Sequence, residues 1–365
     1  MKPYQIHFEK TAFDGLFSRL EAARMPRHMY DDGWEHGTDG RFLEDLLAAW
    51  RDSEPQWRQK EEELNGWPQY LCSIRGMDIH FFHIPASRPG GLPVLLTHGW
   101  PDSFLRYAKI FSLLPEHDLI VPTLPGFGFS TLPEKGYTNN SEVADIWHVL
   151  MRDLLGYSSY IAAGGDMGRG VTCYLASRYP EEIAGIHLTD VGLVRELISA
   201  PDDTLSAPER DYKERASKWL ALEGAYINIQ STKPQTLAFS LADSPVGMAA
   251  WLAEKYHAWS DWPRMQIPDI CDCLTLYWMT NTAATAARMY HGNSFSLPPL
   301  SLEDIKAPVG FAAFPHDVLP VPESWIREHY PLVRYDIMPY GGHFTALEAP
   351  GPFADSLAAF AAAID

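Results

Sequence analysis

Asp166 sits in the run Gly164-Gly165-Asp166-Met167-Gly168, after an apolar stretch at 158–163 and before a stretch of helical spacing at 171–179 that Pro180 ends. A strand, a bend with small residues on both sides of its middle position, and a helix make the turn on which many hydrolytic enzymes expose a serine. The flanking glycines let the backbone bend sharply and push the middle side chain outward. Here that side chain is a carboxylate, and the chemistry changes with it. Serine needs a base to remove its proton, whereas an aspartate with a pKa near about 4 is already an anion at neutral pH. A carboxylate is a poor reagent for opening amides. It suits displacement at an sp³ carbon with a strained or good leaving group, such as an epoxide oxygen or a halide. The product is an ester on the chain, which a histidine-activated water can hydrolyse.

A base and its orienting acid are therefore needed further along. His343, in Tyr340-Gly341-Gly342-His343-Phe344, follows the last expected strand. Asp317, in Phe314-Pro315-His316-Asp317-Val318, follows a strand between Asp166 and His343, with Asp304 and Glu303 as weaker substitutes. Nucleophile, acid and histidine thus come in the order expected when each sits on a loop at the C-terminal edge of a parallel sheet. Thr97-His98-Gly99-Trp100-Pro101 follows the first buried strand. It can offer the Trp100 N–H, beside that of Met167, to the oxyanion of ester hydrolysis. His98 reads as a hydrogen-bonding residue beside the site rather than a second base. With Pro101, Phe127 and Phe344 it is expected to line the substrate pocket. The loop Pro125-Gly126-Phe127-Gly128-Phe129-Ser130 lacks the spacing and the Lys-Ser/Thr ending of a phosphate cradle.

The elements that must hold these loops are legible in outline. Residues 1–75 read as a helical meander that wraps a core, with apolar residues at helical spacing in 13–20 and 42–50. Residues 76–200 alternate short strands (78–84, 93–97, 118–121) with helices. Residues 201–300 lose all strand signals and hold five of the twelve tryptophans, as an all-helical cap would. Strands return at 308–314 and 333–338, and a helix at 352–360 closes residues 301–365. The pattern predicts an α/β fold: a doubly wound, mostly parallel sheet with a helical cap inserted late. A net charge of −18 argues against nucleic acid or an anionic membrane as partner. Four scattered cysteines lack zinc-like spacing, so no metal is expected and a reducing cytoplasm is the simplest setting. The first residues lack the apolar core of a signal peptide, and no apolar run reaches the roughly 18 residues of a membrane span.

Taken together these motifs resemble the epoxide hydrolases of the microsomal and juvenile-hormone type, with their soluble microbial relatives, on the α/β-hydrolase fold. The resemblance runs through Arg24-Met25-Pro26-Arg27, Trp50-Arg51, Trp57 and Leu64-Asn65-Gly66-Trp67-Pro68-Gln69-Tyr70. It continues through His98-Gly99-Trp100-Pro101, Gly164-Gly165-Asp166, Gly224-Ala225-Tyr226-Ile227-Asn228-Ile229-Gln230, Asp243-Ser244-Pro245-Val246-Gly247 and Gly341-Gly342-His343-Phe344. It implies that Tyr226 is one of two cap phenols that grip the epoxide oxygen. Tyr290 is its expected partner, with Tyr277 and Tyr256 as the other candidates. It also implies hydrolysis to a vicinal diol. The cap's tryptophans point to a small apolar or aromatic epoxide, no cofactor is expected, and a homodimer is one candidate assembly. Two departures stand out: Met167 replaces the usual Trp after the nucleophile, and Arg169 stands where a small residue is usual. The missing indole weakens a halide-displacing alternative. An epoxide-opening cyclase and an inactive binding protein remain the other readings.

Overall fold

Nine strands form one sheet: β1 (Lys2–Pro3), β2 (Gln69–Ile74), β3 (Met77–Ile84), β4 (Val94–Thr97), β5 (Leu119–Pro122), β6 (Tyr160–Gly164), β7 (Ile183–Leu188), β8 (Val309–Ala313) and β9 (Leu332–Ile337). The computed structural model describes residues 1–27, 33–88, 90–133, 138–262 and 264–364. Strand order is β1-β2-β3-β5-β4-β6-β7-β8-β9. The first three pairings, up to β3 with β5, are antiparallel, and every pairing from β5 to β9 is parallel. Every residue of β4, β5 and β6 is buried, as strands covered by helices on both faces must be. The expected strands 78–84, 93–97, 118–121, 308–314 and 333–338 all correspond to strands of the sheet. β7 was not anticipated, because Ile183-Ala184-Gly185-Ile186 is short and interrupted by a glycine. The 1–75 segment is also not purely helical, since β1 and β2 extend the sheet at its antiparallel edge.

In that segment, helices Lys10–Glu21, Gly40–Arg51 and Glu54–Asn65 lie against the rest of the molecule. The Asp39 side chain accepts the Phe42 N–H and so caps Gly40–Arg51. The same helix buries Leu43, Leu46, Leu47 and Trp50 along one face. Between β7 and β8 the elements among the described residues are all helical and include Ala207–Leu222, Ala225–Thr232, Pro234–Asp243, Pro245–Trp259, Ile267–Met279 and Arg288–Phe295. Proline occupies the first or second position of four of these helices, where its missing N–H costs nothing, so the segment is cut into short rods. Two buried phenols fasten the rods to the loop after β4: Tyr256 donates to the Pro101 carbonyl and Tyr277 to that of Asp102, both at 2.7 Å. Among the described residues, no helix is long and apolar enough to cross a membrane.

Candidate active site

β6 delivers its last residue into a bend and the helix Met167–Arg178 begins immediately after it. Asp166 adopts φ 54° and ψ −125°, a strained conformation for a residue with a Cβ. The bend exists only because its neighbours are small: a Cβ on Gly168 would stand 1.9 Å from the Thr97 carbonyl oxygen. Strain at this residue aims the carboxylate out of the sheet. Trp100, on the loop after β4, donates its N–H to Asp166 Oδ1 at 2.8 Å. The other oxygen, Oδ2, lies 3.6 Å from His343 Nε2, an ion-pair distance rather than a hydrogen bond. His343 Nδ1 meets Asp317 Oδ1 at 2.8 Å. The imidazole, last of the three in the chain, stands in space between the two carboxylates.

Charge is concentrated in a buried space. Burial opposes a charge on His343, but Asp317 and Asp166 outweigh it and carry the imidazolium up to about 10. Burial likewise opposes ionisation of Asp166. The imidazolium and the amides of Trp100 and Met167 overcome that and hold its carboxyl below the usual range. The free protein therefore carries an Asp166–His343 ion pair at neutral pH.

Above this pair, helices Ala225–Thr232 and Arg288–Phe295 present Tyr226 and Tyr290, whose rings meet edge-on at 5.8 Å. The Trp100 indole stacks on Tyr226 at 5.3 Å and meets Tyr290 edge-on at 5.6 Å. One residue thus fixes both phenols with its ring and the carboxylate with its amide. Burial pushes both phenols well above their ordinary pKa, followed by the Asp166 charge for Tyr226 and by Tyr226 and then Asp166 for Tyr290, so each stays a proton donor. Asp166, Met167, Tyr226, Tyr290, Asp317 and His343 all line one cavity of about 230 Å³.

The four residues expected to line the pocket do not face it. His98 is fully buried: Nε2 accepts the Leu124 N–H, Nδ1 meets the Gly99 carbonyl, and burial pushes it down to about 3. Pro101 is buried and gives its carbonyl to Tyr256. Phe127 packs on His98, and Phe344 packs on Tyr256. Each of the four is taken up by contacts in the packed core, and from these loops it is His343 that reaches the cavity. Of the other tyrosine candidates, Tyr277 and Tyr256 are tied to loop carbonyls, as described above. The cavity wall holds Trp219, Ile227, Trp259, Leu193, Val318 and Leu319 instead.

Several supporting residues carried no sequence signal of their role. Asp190, just past β7, accepts the Asp166 N–H at 2.6 Å and so steadies the bend. Trp259 accepts the His343 N–H with its carbonyl and lies edge-on to the imidazole at 5.3 Å. Glu348 accepts N–H groups from Asp261, Gly342 and Phe344, knitting the histidine loop together. Arg106, buried against Asp102 at 2.6 Å, donates to the His343 carbonyl. A repeat or motif would not reveal such contacts, because each joins residues remote in sequence.

Strand order, the strained carboxylate at the end of β6 and the inserted helices define an α/β hydrolase. The family model for the epoxide hydrolase N terminus matches residues 1–107, and that for the alpha/beta hydrolase fold matches residues 93–226. A relative from Stigmatella aurantiaca (strain DW4/3-1) is 36% identical, over 97% of this chain and 83% of its own. Epoxide hydrolase 1 of Oryctolagus cuniculus is 31% identical, over 100% of this chain and 89% of its own. The solved structure of Aspergillus niger epoxide hydrolase superposes with a TM-score of 0.89 at 31% identity, covering 100% of this chain and 96% of that one. The chain belongs to the epoxide hydrolase family.

Proposed function

We propose that this protein hydrolyses an epoxide to a vicinal diol through an ester on Asp166. Asp166 Oδ2 attacks one ring carbon, forming a C–O bond as the ring C–O bond breaks. The departing oxygen takes a proton from Tyr226 or Tyr290. Once alkylation has removed the Asp166 charge, His343 gives up its own proton to solvent; as a neutral imidazole it then removes a proton from water, and the resulting hydroxide adds to the ester carbonyl carbon. Oxyanion charge collects on Oδ1, where the amides of Trp100 and Met167 already point. Collapse releases the diol and restores the carboxylate, and the proton on His343 returns to the phenolate. Asp317 holds the imidazole in the tautomer this requires. The observation that carries the reading is the single cavity into which carboxylate, imidazole and both phenols converge.

On this reading the substrate is a small, largely apolar or aromatic epoxide, matched to Trp219, Ile227, Trp259 and Leu319. Residues 201–300 act as the lid that brings the phenols, and residues 1–75 brace it against the two core segments, 76–200 and 301–365. Four buried, unpaired cysteines fit a reducing cytoplasm. A homodimer would cover Val333 and Ile337, 55% and 79% exposed on the edge strand β9, and sedimentation at increasing concentration would reveal it. The mechanism is tested with His343→Gln, which can form the ester but cannot hydrolyse it. Incubated with styrene oxide or an aliphatic epoxide, it should gain the mass of one epoxide, and Asp166→Ala should gain none. An unmodified His343→Gln protein, from a wild type that turns over the same epoxide, would contradict the covalent route.

A further inference from the structure

Arg169 is a cation that the mechanism above does not use. It stands three positions beyond Asp166, in the first turn of Met167–Arg178, and its side chain is 25% exposed. It lines the 230 Å³ cavity and also a second chamber of about 450 Å³. Asn140 and Leu193 share both walls with it. Arg169, Asn140 and Leu193 therefore form the wall common to the two chambers. Among the described residues it is the one lysine or arginine on either wall.

Its nearest acid does not neutralise it tightly. Arg169 Nε is 4.0 Å from Asp190 Oδ1, at the outer limit of an ion pair, and is buried without a hydrogen-bond partner. Asp190 is committed elsewhere: Oδ1 accepts the Gly192 N–H at 2.9 Å, and Oδ2 accepts that of Asp166. The guanidinium presses on Gly192, where a Cβ would lie 2.2 Å from Arg169 Nη2. Asn140 adds a second donor at the junction: its Oδ1 accepts from Asn293, and its Nδ2 lies against Gly170. A largely desolvated cation whose Nε lacks a hydrogen bond and whose ion pair to Asp190 spans 4.0 Å is costly, and an anion there would satisfy it through paired charge-assisted hydrogen bonds. Asp166, Asp190 and Asp317 around the first chamber, with Glu196 and Glu303 on the wall of the second, confine such an anion to Arg169.

We propose that Arg169, with Asn140, forms an anion subsite, and that the preferred substrates are epoxides bearing a carboxylate on an apolar carbon arm. The inference rests on the epoxide-hydrolase reading. It assigns the arm to the apolar wall of Leu193 and Leu319 and the carboxylate to the junction of the chambers.

The test uses ω-epoxy fatty acids of graded length with their methyl esters, and the corresponding dihydroxy acids with theirs. At one or more lengths the wild type should turn over the acid with a kcat/KM about tenfold or more above that of the ester. It should also bind the dihydroxy acid more tightly by calorimetry. Arg169→Met should erase that preference, mainly through KM, and Arg169→Lys should restore part of it. Equal turnover of acid and ester by the wild type overturns the subsite while leaving the hydrolase reading intact. A preference that survives Arg169→Met also overturns it. Tighter binding of the dihydroxy acid without turnover of any epoxide would support the subsite and contradict the hydrolase reading.

Discussion

Asp166 Oδ1 accepts the Trp100 N–H before any substrate arrives, and the same N–H must later hold an oxyanion on that atom. The nucleophile is thus stored in the position from which its ester will be hydrolysed. His343 has a related economy. In the free protein its proton is held by Asp317 and Asp166 against burial, near a pKa of about 10. Alkylation of Asp166 removes one of those charges, so the imidazole loses its proton more readily when a base is needed. The sign follows: a raised pKa means protonated, and hence inactive as a base, at lower pH. Ester hydrolysis should speed up as pH rises, with an apparent pKa below that of the free protein, and ester should accumulate in acid. Rapid-quench measurement of alkylated protein against pH checks this, and an ester fraction independent of pH would contradict it. Tyr226→Phe and Tyr290→Phe should each slow ring opening by about tenfold or more. The double change should cost on the order of 10²–10⁴, the range of a lost general acid, with alkylation rates as the readout. Asp166, Asp317 and His343 were legible because each follows a strand in a fixed order. The two phenols were legible only through resemblance, since nothing local distinguishes them among 17 tyrosines. His98, Pro101, Phe127 and Phe344 were misplaced because sequence proximity to the site does not say which way a loop side chain turns.

Elements transmit this precision through buried polar contacts. Arg106 and Asp102 are 1% and 2% exposed at the side chain and face each other at 2.6 Å, beneath the histidine loop. Removing one partner strands the other charge. Arg106→Met should therefore destabilise the fold by about 3–5 kcal/mol, and Asp102→Asn in the same chain should recover part of that. Denaturant unfolding of the single and double variants measures it; additive losses would contradict a coupled pair. The Glu348 carboxylate accepts the N–H groups of Gly342 and Phe344, so Glu348→Ala should lower both kcat and melting temperature. Glu348→Gln, which keeps an acceptor, should fall between. The parallel strands were legible as apolar runs buried on both faces. β7 and β2 were not, because β7 is broken by a glycine and β2, second from the edge, follows a segment whose apolar spacing is helical.

On the scale of the molecule, the N-terminal helices are joined to the helices inserted between β7 and β8 rather than merely draped on the sheet. Trp50 Nε1 donates to Thr275 Oγ1 at 2.9 Å, and Gln56 Nε2 donates to Asp272 Oδ1 at 2.8 Å. The inserted helices in turn hold the Trp100 loop through Tyr256 and Tyr277. Trp50→Ala should cost about 3–5 kcal/mol by opening a cavity at that junction, read as a lowered denaturation midpoint. It should also raise KM, because the helices that carry Tyr226 and Tyr290 lose a brace. The segment order of helices, sheet, helices, sheet was visible in the changing periodicity of the chain. These bonds were not, because they join positions more than 200 residues apart.

One turnover in heavy-oxygen water, with protein in excess over epoxide, tests the covalent ester most directly. The label should appear in the Asp166 carboxylate of the digested protein, and the first diol should carry none, since its new oxygen comes from the side chain. Label in that first diol, with Asp166 unlabelled, would mean that water attacks the epoxide itself and that Asp166 never bonds to carbon.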